Sequence, residues 1–291
     1  MALTSIKTVN NYLSLVKFSH TVFALPFAVI GYFVAIHFTE AKFDLKLFAL
    51  VILCMIFARS AAMAFNRYID RKIDEENVRT AIREIPAGIV KPQSALIFVV
   101  ISCLLFITTT YFINSLCFYL SPIALAVVLG YSLTKRFTAL CHVVLGIGLS
   151  LAPIGAYLAV TGKFDWLPLF FSFAVLFWVS GFDIIYALQD ENFDKSKNLK
   201  SIPAWLGING ALMVSNVFHI ISAGFIIYAG IYAHFNIWYW IGTLVFIGLL
   251  FYQHTLVKPD DLSKVNLAFM TTNGIASVVF SLFVLIDLFL K

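Results

Sequence analysis

Residues 66–74 read Asn66-Arg67-Tyr68-Ile69-Asp70-Arg71-Lys72-Ile73-Asp74 and follow directly on an apolar run at 47–65. A run of that kind approaches the roughly 20 residues a helix needs to cross about 30 Å of hydrocarbon. The nine residues after it hold two carboxylates, one carboxamide and three cations. A membrane helix whose polar end leaves the lipid is the simplest reading of that junction. A second acidic stretch, Asp183 to Asp194, repeats the spacing: Asp70 and Asp74 recur 120 positions later as Asp190 and Asp194.

Composition agrees. Of 291 residues, 61% are hydrophobic and 12% charged, and the mean hydropathy is +0.94. Soluble domains average about 25% charged residues, so the chain reads as an all-α, polytopic membrane protein. Thirty Phe and five Trp suit lipid and its interface. The net charge of +5 is a topology signal and not a nucleic-acid signal, as its distribution shows. Cys54, Cys103, Cys117 and Cys141 lie in or beside apolar runs without CxxC spacing and read as small hydrophobes. The N-terminus lacks the pattern of a cleavable signal, so the first span is expected to serve as the insertion signal.

Outward from the opening stretch, nine apolar segments lie at 18–38, 47–65, 95–113, 116–133, 140–160, 167–182, 211–232, 237–252 and 267–290. Backbone polar groups in lipid must bond internally, so these are expected to be helices. Asn114-Ser115 predicts a tight hairpin between the third and fourth, and Pro26, Pro122 and Pro153 predict kinks. Ahead of the spans, Ile6, Val9, Leu13 and Val16 recur at helical period, which predicts a surface helix over 5–17. With nine spans, sixteen of the 20 Lys and Arg fall on the side that carries the N-terminus and both acidic stretches. The positive-inside rule makes that side cytoplasmic.

On a helix, 100° per residue brings Asn66, Asp70 and Asp74 within about 80° of arc. Asp183, Asp190 and Asp194 fall within about 40°, with Tyr186 on the flank. Each stretch thus aims carboxylates in one direction from the end of a membrane helix. An Asp at the middle of a span costs roughly 2.5–3.5 kcal/mol, and less at the interface. A divalent cation offsets such a cost, and carboxylates that share a cation with a ligand's phosphates are the usual Mg²⁺ environment. Two facing stripes, each with a Mg²⁺, would clamp one diphosphate. Arg67, Arg71, Lys72, Lys135 and Arg136 would add charge-assisted contacts to its oxygens. Glu75, Glu76, Glu191 and Lys195 read as the solvated rim expected at any helix end. The DDxxD signature of soluble isoprenyl synthases is absent.

Asn66-x-x-x-Asp70-x-x-x-Asp74, followed by Arg79-Thr80 and Pro86-Ala87-Gly88, resembles the first signature of the UbiA-type intramembrane prenyltransferases. Asp183-Ile-Ile-Tyr186-Ala-Leu-Gln-Asp190-Glu-Asn-Phe-Asp194 is similar to their second. Tyr131-x-x-x-Lys135-Arg136 and Ser201-Ile202-Pro203 extend the resemblance over nearly the whole chain, 1–291, read as one such domain. The 4-hydroxybenzoate polyprenyltransferases are the branch it resembles most. The menaquinone-pathway relatives that use a dihydroxynaphthoate share much of the wording. Arg67 departs from the pattern, standing where many members have Asp.

The resemblance implies a helical barrel open sideways to lipid, capped on the cytoplasmic side; the compact loops and the lack of a presequence pattern favour a bacterial inner membrane. It also implies transfer of a polyprenyl group from its diphosphate to an aromatic acid by Mg²⁺-assisted ionisation and electrophilic substitution. By motif position, Asn66, Asp70 and Asp74 would hold one Mg²⁺, and Asp190 and Asp194 a second. Asp183 would be a ligand or a ring-activating base. Arg67, Lys135 and Arg136 would touch the diphosphate, and Tyr186 would orient the acceptor or a phosphate oxygen. Lys17 or Arg59 would meet the acceptor's carboxylate.

The six histidines show no metal-ligand spacing; His20 alone opens a span on the motif side. Gly146, Gly148 and Gly155 read as helix-packing positions, and Gly-x-Gly without a strand-to-helix context carries no nucleotide signal. The five Trp read mainly as interface anchors. Two other classes stay open: a transporter with an aspartate cation site, and a prenyl-lipid binder without activity. Transporter sites usually lie at the midplane on broken helices, and a mere binder would not need all five motif aspartates.

Overall fold

In the computed structural model the described residues are 10–290. Residues 5–9 of the expected surface helix at 5–17 fall outside them, and 10–15 are helical as expected. The helices are α1 (Leu25–Phe38), α2 (Leu45–Glu76), α3 (Pro92–Tyr111), α4 (Ser115–Thr134), α5 (Cys141–Thr161), α6 (Trp166–Ala187), α7 (Glu191–Ser196), α8 (Ile202–Tyr232), α9 (Ile237–Leu256) and α10 (Asn273–Phe289). Eight of the long helical stretches are long and apolar enough to cross a membrane.

The first expected span differs in detail. A 3₁₀ turn at Phe18–Phe23 leaves only Leu25–Phe38 as α-helix. Pro26 therefore falls at the first positions of α1, where its missing N–H costs nothing, and does not kink a helix interior. Pro122 and Pro153 do sit inside α4 and α5. Asn114 is the N-cap of α4, accepting the Cys117 N–H at 2.8 Å and donating to the Leu158 carbonyl at 2.9 Å, so the short α3–α4 hairpin is anchored on α5.

Sequential helices pack side by side: α2 on α3 and α4, α4 on α5, α5 on α6, α6 on α8, and α9 on α8 and α10. Helix α1 closes the ring through α10, α5 and α2. Close approach rests on two glycines. A Cβ at Gly31 would stand 2.1 Å from the Pro153 carbonyl oxygen, and one at Gly146 would stand 2.4 Å from the Leu176 carbonyl oxygen. Gly146 thus packs helices as expected, whereas a Cβ at Gly155 would meet nothing within 4 Å. Trp178 corrects the reading of all tryptophans as interface anchors. It is 0% exposed and its Nε1 donates to Asn273 Oδ1 at 2.7 Å. Trp166 and Trp205 are exposed as anchors should be.

Two features of α2 and α6 build one end of the ring. Asp44 caps α2 by accepting the N–H groups of Lys46 at 2.8 Å and Leu47 at 3.2 Å. The helix then runs 32 residues without interruption, about 48 Å at 1.5 Å per residue. That exceeds the hydrocarbon thickness, so its last turns carry residues 66–74 past the apolar layer. Helix α6 instead stops at Ala187 and tightens into a 3₁₀ turn, Leu188–Asp190, before α7 resumes. Three residues per turn in place of 3.6 rotates everything beyond by about 60°. The α-helical stripe expected through Asp183, Asp190 and Asp194 is broken there.

Candidate active site

The last turns of α2, the loop after it, the α4–α5 connection and the end of α6 enclose a cavity of about 260 Å³. Asn66, Arg67, Asp70 and Asp74 line one wall; Asp183, Tyr186 and Asp190 line another; Lys135 and Arg136 lie between. His20 reaches it with Phe23, Phe182 and Phe269. Lys17, Arg71 and Lys72 do not line it. Lys17 supplies only a carbonyl, 3.5 Å from Arg59 Nη2. Arg71 turns away, donating to the Tyr68 carbonyl at 2.6 Å and covering the Tyr68 ring at 4.4 Å.

Four of the five motif aspartates are each held by one cation. Asp70 Oδ1 pairs with Arg136 Nη2 at 2.8 Å, and Asp70 Oδ2 accepts from Asn66 Nδ2 at 3.0 Å. Asp74 Oδ1 pairs with Arg83 Nη1 at 2.6 Å. Asp190 accepts from Arg79 Nε at 3.0 Å, from Arg79 Nη2, and from Asn77 Nδ2 at 3.1 Å. Arg79 Nη1 donates to the Tyr186 hydroxyl at 2.9 Å, and its guanidinium lies over that ring. Burial alone would lower the pKa of Arg79, but the bonds and charges of Asp190 and Tyr186 prevail and raise it. Asp194 is 0% exposed and lies behind the wall, where it meets Lys135 Nζ at 2.7 Å and accepts from Ser201 Oγ at 2.8 Å. The 3₁₀ turn directs it there, and Ser201, the N-cap of α8, receives it.

Six cationic side chains and four carboxylates line the cavity. The two cations left over are Arg59 and Arg67. Arg67 is 6% exposed, and the Nε of each is buried without a hydrogen-bond partner among the described residues. Unpaired buried charge is expensive unless a ligand compensates it. The cavity is therefore built for an anion. Sequence reasoning missed Asn77, Arg83 and His142. The first two lie in the loop just past the stripe, where no periodicity points inward. His142 approaches Asp183 from α5, a contact no spacing announces.

The donor set fits Mg²⁺. It offers carboxylate and carboxamide oxygens from two walls, and Asp74 Oδ2 is buried without a partner. Among the described residues no three acidic, His or Cys side chains form a cage. Oxygens from two or so residues, completed by water and phosphate, are what Mg²⁺ usually takes.

A second cavity of about 360 Å³ adjoins the first. It is lined mainly by apolar side chains of α2, α4 and α5, and Gly155 faces it. Arg59, Met63, Tyr131, Leu145 and Leu149 line both. A charged chamber thus opens beside a greasy one, as an amphiphile with an anionic head would require.

Residues 24–275 match the UbiA prenyltransferase family. A 4-hydroxybenzoate octaprenyltransferase of Nitrosomonas europaea is 32% identical over 249 residues, 84% of each chain. One of Coxiella burnetii is 28% identical over 235 residues, 81% of this chain and 82% of that one. The apo structure of a UbiA homolog from Aeropyrum pernix K1 superposes with a TM-score of 0.84 at 29% identity, covering 92% of this chain and 98% of that one. The fold is shared as well by a UbiA homolog from Archaeoglobus fulgidus bound to DMAPP and Mg²⁺, with a TM-score of 0.72 at 21% identity over 96% of this chain and 99% of that one.

Proposed function

Since the chain belongs to the UbiA prenyltransferase family, we propose that this membrane prenyltransferase moves a polyprenyl group from its diphosphate onto an aromatic acid, 4-hydroxybenzoate. The observation that carries this reading is the pair of guanidinium groups without a carboxylate partner, Arg59 and Arg67, each with a buried Nε that no group among the described residues satisfies, in a cavity already walled by ion-paired aspartates. The surplus positive charge is complementary to a diphosphate at one end and a carboxylate at the other. The names of the relatives support the aromatic acid. The segregation of Lys and Arg supports a cytoplasmic position for this end of the ring, and the bacterial relatives support an inner membrane.

Asn66, Asp70 and Asp74 would hold one Mg²⁺ and Asp190 a second, supported by the oxygen donors and by the orphaned Asp74 Oδ2; Asp194, expected as a further ligand, lies behind the wall and would instead steady Lys135. Bound there, Mg²⁺ would draw charge from the leaving diphosphate. The side chains do the rest. Arg136, Arg83, Arg79 and Lys135, which neutralise the aspartates, are placed to turn to the phosphate oxygens as the aspartates take other partners. Arg67 meets the charge that develops as the allylic C–O bond breaks. The rings of Phe23, Phe182 and Phe269, which line the cavity, would stabilise a carbocation and exclude water, with Tyr186 held in place by its stacking on Phe269. Arg59, at the border of the two cavities, would bind the acceptor's carboxylate.

The test uses purified protein in lipid with Mg²⁺, an octaprenyl diphosphate and labelled 4-hydroxybenzoate. Prenylated acid is the expected product. Product from 1,4-dihydroxy-6-naphthoate and none from 4-hydroxybenzoate would overturn the acceptor assignment while keeping the chemistry. Chelation with EDTA should stop turnover and Mg²⁺ should restore it; full activity in chelator would sink the metal assignment.

The apolar cavity would take the polyprenyl chain, and Gly155→Leu tests that. The added side chain meets no neighbour at its Cβ, so it enters the cavity without disturbing α5. The expected result is a shift of kcat/KM of about tenfold toward geranyl over octaprenyl diphosphate. Unchanged chain-length preference would place the polyprenyl chain elsewhere.

A further inference from the structure

Asp183 differs from the other carboxylates of the cavity in its partner. Asp70, Asp74 and Asp190 each face an arginine. Asp183 faces an imidazole, with His142 Nδ1 2.7 Å from its Oδ2. His142 is 3% exposed and also lines the cavity. Its other ring nitrogen, Nε2, accepts the backbone N–H of Ile202 at 3.4 Å. A ring nitrogen that accepts carries no proton, so the proton sits on Nδ1 and is donated to Asp183. The ring's surroundings are fixed. Cys141 Sγ lies 3.5 Å from the Lys200 carbonyl, and Lys200 N–H donates to the Lys135 carbonyl at 2.7 Å. These contacts tie the start of α5 to the segment that leads into α8.

The Asp183 side chain is 23% exposed, and its Oδ1 makes no hydrogen bond to the described residues. One carboxylate oxygen is held by the imidazole and the other is open. Nδ1–H orients the carboxylate from one side and leaves Oδ1 open to take a proton. Asp183 also stands seven residues before Asp190 on the chain, about 10 Å deeper at helical rise. Val179 and Phe182, about one turn or less away on α6, and Leu145, about one turn from His142 on α5, line the cavity beside Asp183. An aromatic ring below a diphosphate would lie at that level.

We propose that His142 is a positioning residue that turns Asp183 Oδ1 toward the acceptor ring, and that Asp183 takes the proton the ring loses. The inference rests on the aromatic prenyl transfer proposed above. The allylic C–O bond breaks with its electron pair going to the diphosphate. A π pair of the ring forms the new C–C bond. The C–H pair at that carbon returns to the ring, and the proton passes to Asp183 Oδ1 and then to water as product leaves. His142 neither gains nor loses a proton in this sequence.

The experiment compares wild type, His142→Leu and His142→Asn in lipid with Mg²⁺, octaprenyl diphosphate and either ordinary or ring-deuterated 4-hydroxybenzoate. In His142→Leu the kcat should fall about 10²-fold, with KM for the diphosphate unchanged. A deuterium isotope effect on kcat, absent in wild type, should appear because proton loss has become slow. His142→Asn, whose amide N–H stands where Nδ1–H stands, should recover most of the rate and lose the isotope effect. A wild-type rate in His142→Leu overturns the proposal. So does a loss without an isotope effect, or one that Asn does not restore. If His142→Leu fails to fold, Asp183→Asn carries the same isotope test, and no isotope effect in it has the same force. Failure of wild type to prenylate any aromatic acceptor would instead strike the proposed function, and this inference with it.

Discussion

Asp190→Ala should leave the protein folded in the membrane and lower kcat by about 10²–10³-fold, the scale seen when one group that stabilises developing charge is removed. Asp190 collects Arg79 through two N–H groups and Asn77 through a third. It thereby fixes Arg79, whose remaining arm holds the Tyr186 hydroxyl. Its removal takes a proposed metal ligand and lets the guanidinium swing from the cavity wall. Insertion is a separate matter. Asp190 lies in a 3₁₀ turn beyond the apolar part of α6 and contributes nothing to crossing the bilayer. Stability should change little, because Arg79 is 29% exposed along its side chain and water can take over. Asp70→Ala should behave alike, since Asp70 holds Arg136 and Asn66 in the same manner. Steady-state transfer assays beside protease-accessibility mapping separate the two effects. Near-normal turnover in either variant would contradict the site assignment; loss of insertion would show that the carboxylate is structural.

These two aspartates were unequally legible from sequence. Asn66, Asp70 and Asp74 line one wall because α2 stays α-helical through all three, so 100° per residue carries over without error. The second stretch defeats the same arithmetic. A 3₁₀ turn of three residues, invisible to hydropathy, shifts the phase between Asp183 and Asp194 and hides Asp194 against Ser201. Membrane class follows from apolar length, which is a bulk property; the count of nine spans does not, since eight helical stretches are long and apolar enough and Leu25–Phe38 is shorter. The contacts that tune the site join residues far apart: Arg79 to Asp190 across 111 positions, Arg136 to Asp70 across 66, His142 to Asp183 across 41. Such pairings depend on which helices become neighbours, and a single sequence carries no periodic trace of that. Trp178 shows the same limit, since an indole at an interface and one in a core read alike until its Nε1–H finds Asn273.

Arg67→Leu should make the ligand-free protein more stable and nearly inactive. The guanidinium is buried, its Nε has no hydrogen-bond partner, and no carboxylate lies within ion-pair distance among the described residues. Asp74 and Glu84 attract it from further off, while Arg83 repels it. Replacing a poorly compensated buried charge with a shorter apolar side chain is worth about 1–3 kcal/mol in favour of the folded state, since the space it vacates opens onto the cavity. On the function proposed above, that cost is offset in the wild type when a diphosphate arrives, because a ligand that binds the folded state alone stabilises it by mass action. Thermal unfolding in detergent therefore should give a crossing. Without ligand the variant should melt above wild type; with inorganic diphosphate and Mg²⁺ wild type should gain and the variant should not. Activity should fall about 10²-fold, since the lost interaction forms with charge that appears only as the C–O bond breaks. Lower melting of the ligand-free variant would mean that Arg67 already has its compensation within the protein. The surplus charge that carries the functional reading would then rest on Arg59 alone.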